Sequence, residues 1–306
     1  MAARQKGMSD ALILVREQTD RRIIFVITST SNQQMKHILQ LQKKSKTRYE
    51  QRVFVVEGPK MAFEAPKGWV EKLYVSESFY KDAGNAARLT EYDYEVVSDS
   101  VLKAVSDTQT PQGILALVKM PTYSLEEFLT QIENTDGKME RSCTGNDVEG
   151  MNRNVPHLLI LESIQDPGNL GTMLRTGEGA GISGIIMNKT TVDVFNPKTI
   201  RSTMGSIYRV PVFVTEDLHG TIGDLQKLGI HVYAAHLKGT NSYDVPDYTK
   251  GTAFLIGNEG NGLTDETADL ADEYIRIPME GSVESLNAAI AATLLMYEVH
   301  RQRRRL

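Results

Sequence analysis

The sequence predicts an α/β protein in two parts: a larger C-terminal domain on a mostly parallel sheet, and a smaller N-terminal α/β domain. Three observations predict it. Between residues 156 and 306, short apolar segments alternate with short helical patterns, as strands covered on both faces do. Between residues 29 and 120, helical and strand patterns mix around a separate set of apolar segments. Residues 121–155 lie between the two and read as a polar linker or insertion, with "NTDGKMERSCTGNDVEGMNRN" at their centre.

A chain of 306 residues with 41% hydrophobic residues can bury two cores. No apolar run approaches the ~18 residues of a membrane-spanning helix. "MAARQKGMSDALILVREQTDRR" is not a signal peptide, because its apolar patch is short and charge follows it. The single cysteine, Cys143, excludes an internal disulfide framework and a cysteine-based zinc site. His37, His157, His219, His231, His236 and His300 show no metal-ligand spacing, so no metal is expected. No G-x-S-x-G elbow is present, which disfavours serine-nucleophile hydrolysis. The chain reads as cytoplasmic.

Taken in order, residues 1–28 form an irregular lead. A basic helix is expected over 33–48. Lys36, Lys43, Lys44, Lys46, Arg48 and Arg52 cluster there against Glu50, on a chain of net charge −5. Such a patch either is a solvated helix face or contacts phosphates, and the same holds for the terminal "HRQRRRL". Strands follow at "RVFVVEG", "VEKLYVS" and "YEVVS", and "SDTQTPQGILALV" turns into another. After the linker, strands are expected at "HLLILE", "GIIM", "VPVFV", "HVYAA", "TAFLIG" and "YIRIPM".

Three segments carry chemistry. The first is "QDPGNLGTMLRTGEGAGISG" (165–184), glycine-rich and directly after a strand, as a phosphate cradle would be. It fails the dinucleotide fingerprint: Gly177 and Gly179 are followed by Ile182, and Asn188 and Lys189 stand where an acidic ribose ligand belongs. What remains is a turn at Asp166–Asn169 and a helix from about Leu170. Arg175 lies between its buried positions, either as a surface charge or as a functional cation. The second is "FLIGNEGNGL" (254–263), a strand running into glycines that permit close ligand approach or simply a tight loop. The third, 274–303, ends in a helix. Ser285 is its candidate N-cap, and Leu286, Ile290, Thr293, Leu294 and Tyr297 form one stripe. Asn287 is a poor residue for a first helical turn and needs another explanation.

In order, spacing and residue type, these segments resemble the three motifs of the SpoU/TrmH-type RNA ribose methyltransferases. "NPKTIRSTMGSIYRVPVF" (196–213) is similar to the stretch that family carries between its first two motifs. The resemblance covers about 156–303 and extends into 29–119, which looks like the RNA substrate-binding domain of many members. It implies a SPOUT fold whose C-terminal part is tied into a deep trefoil knot, a rare exception to ordinary topology. It also implies a homodimer through the methyltransferase domain, with S-adenosylmethionine held in the knot loops. Carried residue by residue, Gly257, Ile277 and Leu286 would contact the cofactor. Asn169, Arg175, Glu259, Ser285 and Asn287 would form the catalytic or substrate-positioning set.

The implied reaction is methyl transfer to a ribose 2′-hydroxyl of RNA, 23S rRNA in preference to tRNA. A guanidinium with a pKa above ~12 is a poor general base. Arg175 is therefore expected to bind the target phosphate or stabilise a developing oxyanion, with Glu259 holding it. The N-terminal domain would grip folded RNA through Lys36, Lys43, Lys44 and Arg48, and Glu57 is either structural or a site residue. Such domains commonly begin near "ITSTSNQQ", so translation is expected to start at Val26, from a GUG codon. The rival readings are a non-catalytic RNA-binding or ribosome-assembly factor, a base-methylating knotted enzyme, and an oxidoreductase that the failed fingerprint disfavours.

Overall fold

The structure, a computed structural model, describes residues 10–14, 23–133, 155–283 and 285–304. The chain divides into two compact units: Met1–Pro121 with Phe195–Arg201, and Thr122–Val194 with Ser202–Leu306. Much of the polar insertion, residues 134–154, lies outside the described residues.

The N-terminal unit carries strands Asp10–Leu14 (β1), Ile23–Ile27 (β2), Val53–Glu57 (β3), Val70–Ser76 (β4), Tyr94–Val97 (β5) and Ile114–Lys119 (β6). Its helices are Gln33–Lys43 (α1), Ser45–Gln51 (α2), Pro59–Glu64 (α3), Glu77–Lys81 (α4), Ala83–Leu89 (α5) and Asp99–Val105 (α6). The sheet order is β1-β2-β5-β4-β6-β3. Strands β2, β5 and β4 run parallel, whereas β1, β6 and β3 pair antiparallel with their neighbours. Met35, Ile38 and Leu41 recur on one face of α1 and pack with Val55, Tyr74, Val97 and Leu115 of the sheet. Phe195, from the short segment grouped with this unit, packs its ring 4.9 Å from that of Phe54.

Two expectations are corrected here. Residues 1–28 are not wholly irregular: β1 pairs with β2 from Asp10↔Ile27 to Leu14↔Ile23, so ordered structure does not begin at Ile27. The helix expected over 33–48 is two helices. The chain breaks at Lys44, which is extended at φ −119 and ψ 109. Arg48 explains the break. Its Nη1 turns back to donate to the carbonyls of Leu41 at 2.6 Å and Gln42 at 3.1 Å, satisfying the open end of α1. Arg48 is only 3% exposed, so it is a structural capping residue and not an RNA contact. Lys36, Lys43 and Lys44 remain exposed. Glu57 is structural too, accepting from the N–H of Asp107 at 3.2 Å and from the Thr108 hydroxyl.

The C-terminal unit begins with Leu125–Glu133 (α7), His157–Leu161 (β7), Pro167–Ala180 (α8) and Gly184–Asn188 (β8). After Pro197–Thr203 (α9), most of which groups with the N-terminal unit, come Val212–Thr215 (β9), Leu218–Lys227 (α10), His231–Ala235 (β10), Asn241–Ser242 (β11), Thr252–Ile256 (β12), Asp265–Ala268 (α11), Glu273–Arg276 (β13) and Ala288–Arg303 (α12). Every pair in the sheet β11-β13-β10-β12-β7-β8-β9 is parallel. Central strands β7 and β12 are buried along their whole length, which is why they read as unbroken apolar runs. The start of the expected linker is instead α7, whose Phe128 and Ile132 join the core with Leu158, Ile160 and Ile186.

The last helix departs from expectation at its start, its face and its end. Its N-cap is Asn287, not Ser285, and the Asn287 side chain accepts from the N–H groups of Ala289 and Ile290. The unexplained asparagine is thereby explained: it is a good residue just before a helix and a poor one inside it. The buried face is Ala288, Ala289, Ala292, Leu295, Met296 and Val299, while Ile290 and Tyr297 of the expected stripe are 50% and 45% exposed. Nor are two arginines of the basic tail free for phosphate. Arg303 is buried and donates to the carbonyls of Tyr248, Val155, Pro156 and Lys250, and Arg301 forms a two-pronged pair with Glu298.

His157 opens β7 fully buried, and its Nε2 has no partner among the described residues. Burial foremost, with the neighbouring Arg303 and His300 charges, lowers its pKa from 6.5 to about 3. The unfolded chain takes up this proton below about 6.5 while the native protein refuses it until about 3. Stability therefore falls with pH across that window, by about 2 kcal/mol at pH 5 from this residue. His157→Leu is expected to remove that part of the difference between urea midpoints measured at pH 7 and pH 5.

Candidate active site

The site lies within the C-terminal unit, at the carboxyl ends of β10, β12 and β13, where open parallel sheets hold their ligands. A cavity of about 320 Å³ is lined by Leu237, Ile256, Gly257, Ile277, Ser285 and Leu286 among others. All three expected cofactor contacts, Gly257, Ile277 and Leu286, line it, as do Glu259 and Ser285. Gly257 has no room for a side chain: a Cβ would stand 2.1 Å from the Gly262 carbonyl carbon and the Leu263 nitrogen. The loop closes there because Asn258 and Gly262 exchange backbone hydrogen bonds at 2.9 and 2.8 Å.

A chain of hydrogen bonds borders this cavity. Asn287 Oδ1 is engaged by the first N–H groups of α12, so its Nδ2 must donate, and it does, to Asn169 Oδ1 at 3.0 Å. Asn169 Nδ2 then donates to Glu259 Oε1 at 3.0 Å. The amide orientations are thus determined from both ends, by a helix cap and by an acceptor-only carboxylate. Glu259 also accepts from the N–H of Gln165 at 2.9 Å and of Asp166 at 3.1 Å. Partial burial raises this carboxyl, but the hydrogen bonds from Asn169, Gln165 and Asp166 outweigh it and hold the pKa below its usual value. Glu259 is therefore an anion at neutral pH, and a weak base.

The expected hold of Glu259 on Arg175 is not formed, because its oxygens are taken by α8 and the turn before it. Arg175 is exposed on α8, does not line the cavity and makes no hydrogen bond or ion pair among the described residues. Glu259→Gln would set an amide NH₂ against the Gln165 N–H or against those of Asp166 and Asn169. Losing charge-assisted bonds worth about 2 to 3 kcal/mol predicts a fall in kcat of roughly 30- to 150-fold. Single-turnover methyl transfer measures it.

Sequence reasoning missed the residues that hold this constellation. Ser163 follows β7 at φ 56, a left-handed conformation that is uncommon for a residue with a side chain. Its N–H is held by Asn188 Oδ1 at 3.0 Å, and its carbonyl accepts from Asn258 Nδ2 and Gln165 Nε2, both at 2.9 Å. Asn258 Oδ1 meanwhile accepts from the N–H groups of Gly260 and Asn261. Asn258 thus shapes its own loop and ties it to a turn 95 residues earlier. Buried Glu162 adds a second tie, accepting from Thr264 N–H at 2.8 Å and from the Thr267 hydroxyl at 2.5 Å. Asn258 was visible inside "IGNEGNG"; nothing local marks Ser163 or Glu162.

Residues 156–297 match the SpoU rRNA Methylase family, and residues 32–116 match the MRM3-like substrate binding domain. The 23S rRNA (guanosine(2553)-2'-O)-methyltransferase RlmP of Bacillus subtilis is 31% identical over 275 residues, which cover 89% of this chain and 98% of that protein. An AdoMet-bound rRNA methyltransferase from Sinorhizobium meliloti superposes with a TM-score of 0.71 at 30% identity, covering 90% of this chain and 97% of that one. The SpoU methyltransferase AviRb from Streptomyces viridochromogenes, in complex with AdoMet, gives 0.70 at 26% identity, covering 89% and 99%. These matches reach across both units, so fold and cavity together define a methyltransferase with an appended substrate-binding domain. The chain belongs to the SpoU rRNA methylase family, whose members take the transferred methyl from S-adenosylmethionine.

The cavity fits that cofactor. Its volume lies within the range of small-molecule sites, roughly 300–1,000 Å³. Ile256, Ile277 and Leu286 offer apolar contact, and the backbone of 257–262 offers polar groups. Among the described residues no group of three or more His, Cys, Asp or Glu could hold a metal ion, and no helix is long and apolar enough to cross a membrane.

Proposed function

We propose that this protein methylates a ribose 2′-hydroxyl of 23S rRNA, as a cytoplasmic homodimer. The likeness to RlmP along 98% of that protein's length, both units included, carries the reading. When bound, S-adenosylmethionine supplies a methyl on a sulfonium, open to displacement by an aligned oxygen. Gly257, Ile277 and Leu286 would hold it. Ser285, exposed at the cavity wall, would orient the ribose, and positioning of this kind supplies much of the rate. The Asn287–Asn169–Glu259 chain would keep the walls rigid, since neither amide has a free role as acid or base. Arg175, a permanent cation, would bind the phosphate of the target nucleotide or stabilise the oxygen as it loses its proton.

Two further parts of the reading rest on observations of the C-terminal unit. A trefoil knot is supported by the convergence of residues from 235–237, 256–263, 275–279 and 285–291 on one cavity. The homodimer is supported by Ile290 and Tyr297, exposed beside Leu294 on a helix whose opposite face is already buried. A helix apolar on both sides is covered on both sides.

Labelled methyl transfer to purified 23S rRNA, 16S rRNA and tRNA, with the product nucleotide mapped by mass spectrometry, tests the reading. Label is expected on a ribose of 23S rRNA. Label confined to tRNA, or carried on a base, sinks it. Replacing Lys36, Lys43 and Lys44 together by alanine should raise the KM for RNA about tenfold or more and flatten its salt dependence. Cofactor affinity should not change.

A further inference from the structure

The N-terminal unit holds a second cavity, of about 470 Å³, where β4 ends and the 107–113 loop enters β6. Phe79, Leu102 and Pro111 supply its apolar lining, and Ser78, Asp99, Lys103 and Gln112 its polar lining. The frame is built for close approach. Gly113 sits at φ +80, and a Cβ there would lie 2.9 Å from the Ser76 hydroxyl and 3.0 Å from Phe79 Cβ. Its carbonyl accepts from the Ser76 N–H at 2.8 Å, and Glu57 ties down the other end of the loop through Asp107 and Thr108.

The polar groups between these anchors are available. Lys103 and Gln112 are exposed and make no hydrogen bond or ion pair among the described residues. Asp99 takes the Ser78 hydroxyl at 2.5 Å on one oxygen, and a carboxylate has acceptor capacity to spare. Partial burial raises this carboxyl, but the Ser78 and Ser76 hydroxyls, the Ser78 N–H and the Lys81 charge together lower it by more, so it is ionised at neutral pH. Further hydroxyls are exposed at the neighbouring strand ends: Thr30 and Ser31 after β2, and Ser100 after β5.

Lysines on α1 would meet phosphate and carry no sequence information, so base edges would be read elsewhere. An apolar slot rimmed by hydrogen-bonding groups is the complement of an unstacked base, which has apolar faces and a polar edge. A carboxylate selects an edge that donates, and guanine presents adjacent N1–H and N2–H groups. We infer that this cavity receives an unpaired guanine of the RNA, with Asp99 accepting from its Watson–Crick N–H groups, Gln112 completing the contact and Lys103 meeting the adjoining phosphate. This rests on the proposal that the protein acts on RNA.

Fluorescence anisotropy of the full-length protein with labelled nonamers of uridine carrying a central guanosine, inosine, adenosine or uridine tests it. The guanosine oligonucleotide is expected to bind at least about fivefold more tightly than the all-uridine one, with inosine between. Asp99→Asn should reduce that preference to within about twofold, and Lys103→Ala should weaken all four alike. Gln112→Ala, at an exposed position, should cut the preference too, and keeps the test decisive if Asp99→Asn disturbs folding. A preference that survives both substitutions, or no preference in the unaltered protein, overturns the inference. Failure to bind any nonamer by a protein that still methylates rRNA overturns the cavity alone. Failure of both sinks the RNA reading with it.

Discussion

Arg175→Ala is expected to abolish methyl transfer, with kcat falling by about a thousandfold or more, while affinity for S-adenosylmethionine stays within about twofold. The separation follows from where Arg175 sits. It is exposed on α8, contributes nothing to the cavity wall and has no partner among the described residues whose loss would disturb the site. Alanine is also a better helix former, so α8 should tolerate it. Arg175→Lys should restore part of the rate, because charge survives while the two-pronged guanidinium geometry does not. Calorimetric cofactor titration beside single-turnover transfer distinguishes the roles. Loss of cofactor binding in Arg175→Ala would remove Arg175 from substrate chemistry and place it in the cofactor site.

Gly257→Ala should do the reverse, raising the cofactor Kd by about a hundredfold or more through a steric route. The new Cβ would lie 2.1 Å from backbone atoms of Gly262 and Leu263, and backbone cannot swing aside as a side chain can. The Asn258–Gly262 bridge must open, and with it the loop that carries Glu259 toward Asn169. The strain is local to a turn, so the cost to global stability should be about 1–3 kcal/mol, leaving the protein folded at 25 °C. A thermal melt with the cofactor titration checks both halves. Undiminished affinity in a folded Gly257→Ala protein would exclude the 257–263 loop from cofactor binding.

Much of the fold was legible. The strands of the C-terminal unit were written as apolar runs because a strand buried on both faces carries nothing else, and β7, β8, β10 and β12 fell where those runs stand. The face of α12 was not legible, since Ile290, Leu294, Leu295, Met296 and Val299 offer apolar residues on every side. Periodicity finds a stripe but cannot choose between two. Arg48 and Arg303 were misread for a related reason. A cationic residue counts as surface by composition, yet each is buried by carbonyls that the fold brings to it, those of Leu41 and Gln42 for one and of Val155, Pro156, Tyr248 and Lys250 for the other.

By itself the sequence determined the class of fold, the two-part organisation and the three segments that make the site, because strand burial, turn glycines and motif order are local properties. Only the tertiary structure decided how the site is wired. It made Asn287 a helix cap, set Asn169 between Asn287 and Glu259 across 118 and 90 residues of chain, and gave the Glu259 carboxylate to Asn169 and the turn before α8 rather than to Arg175. The reason is physical: a side chain's hydrogen-bonding capacity is written in its type, but its partner depends on which chain ends the parallel sheet brings to one edge.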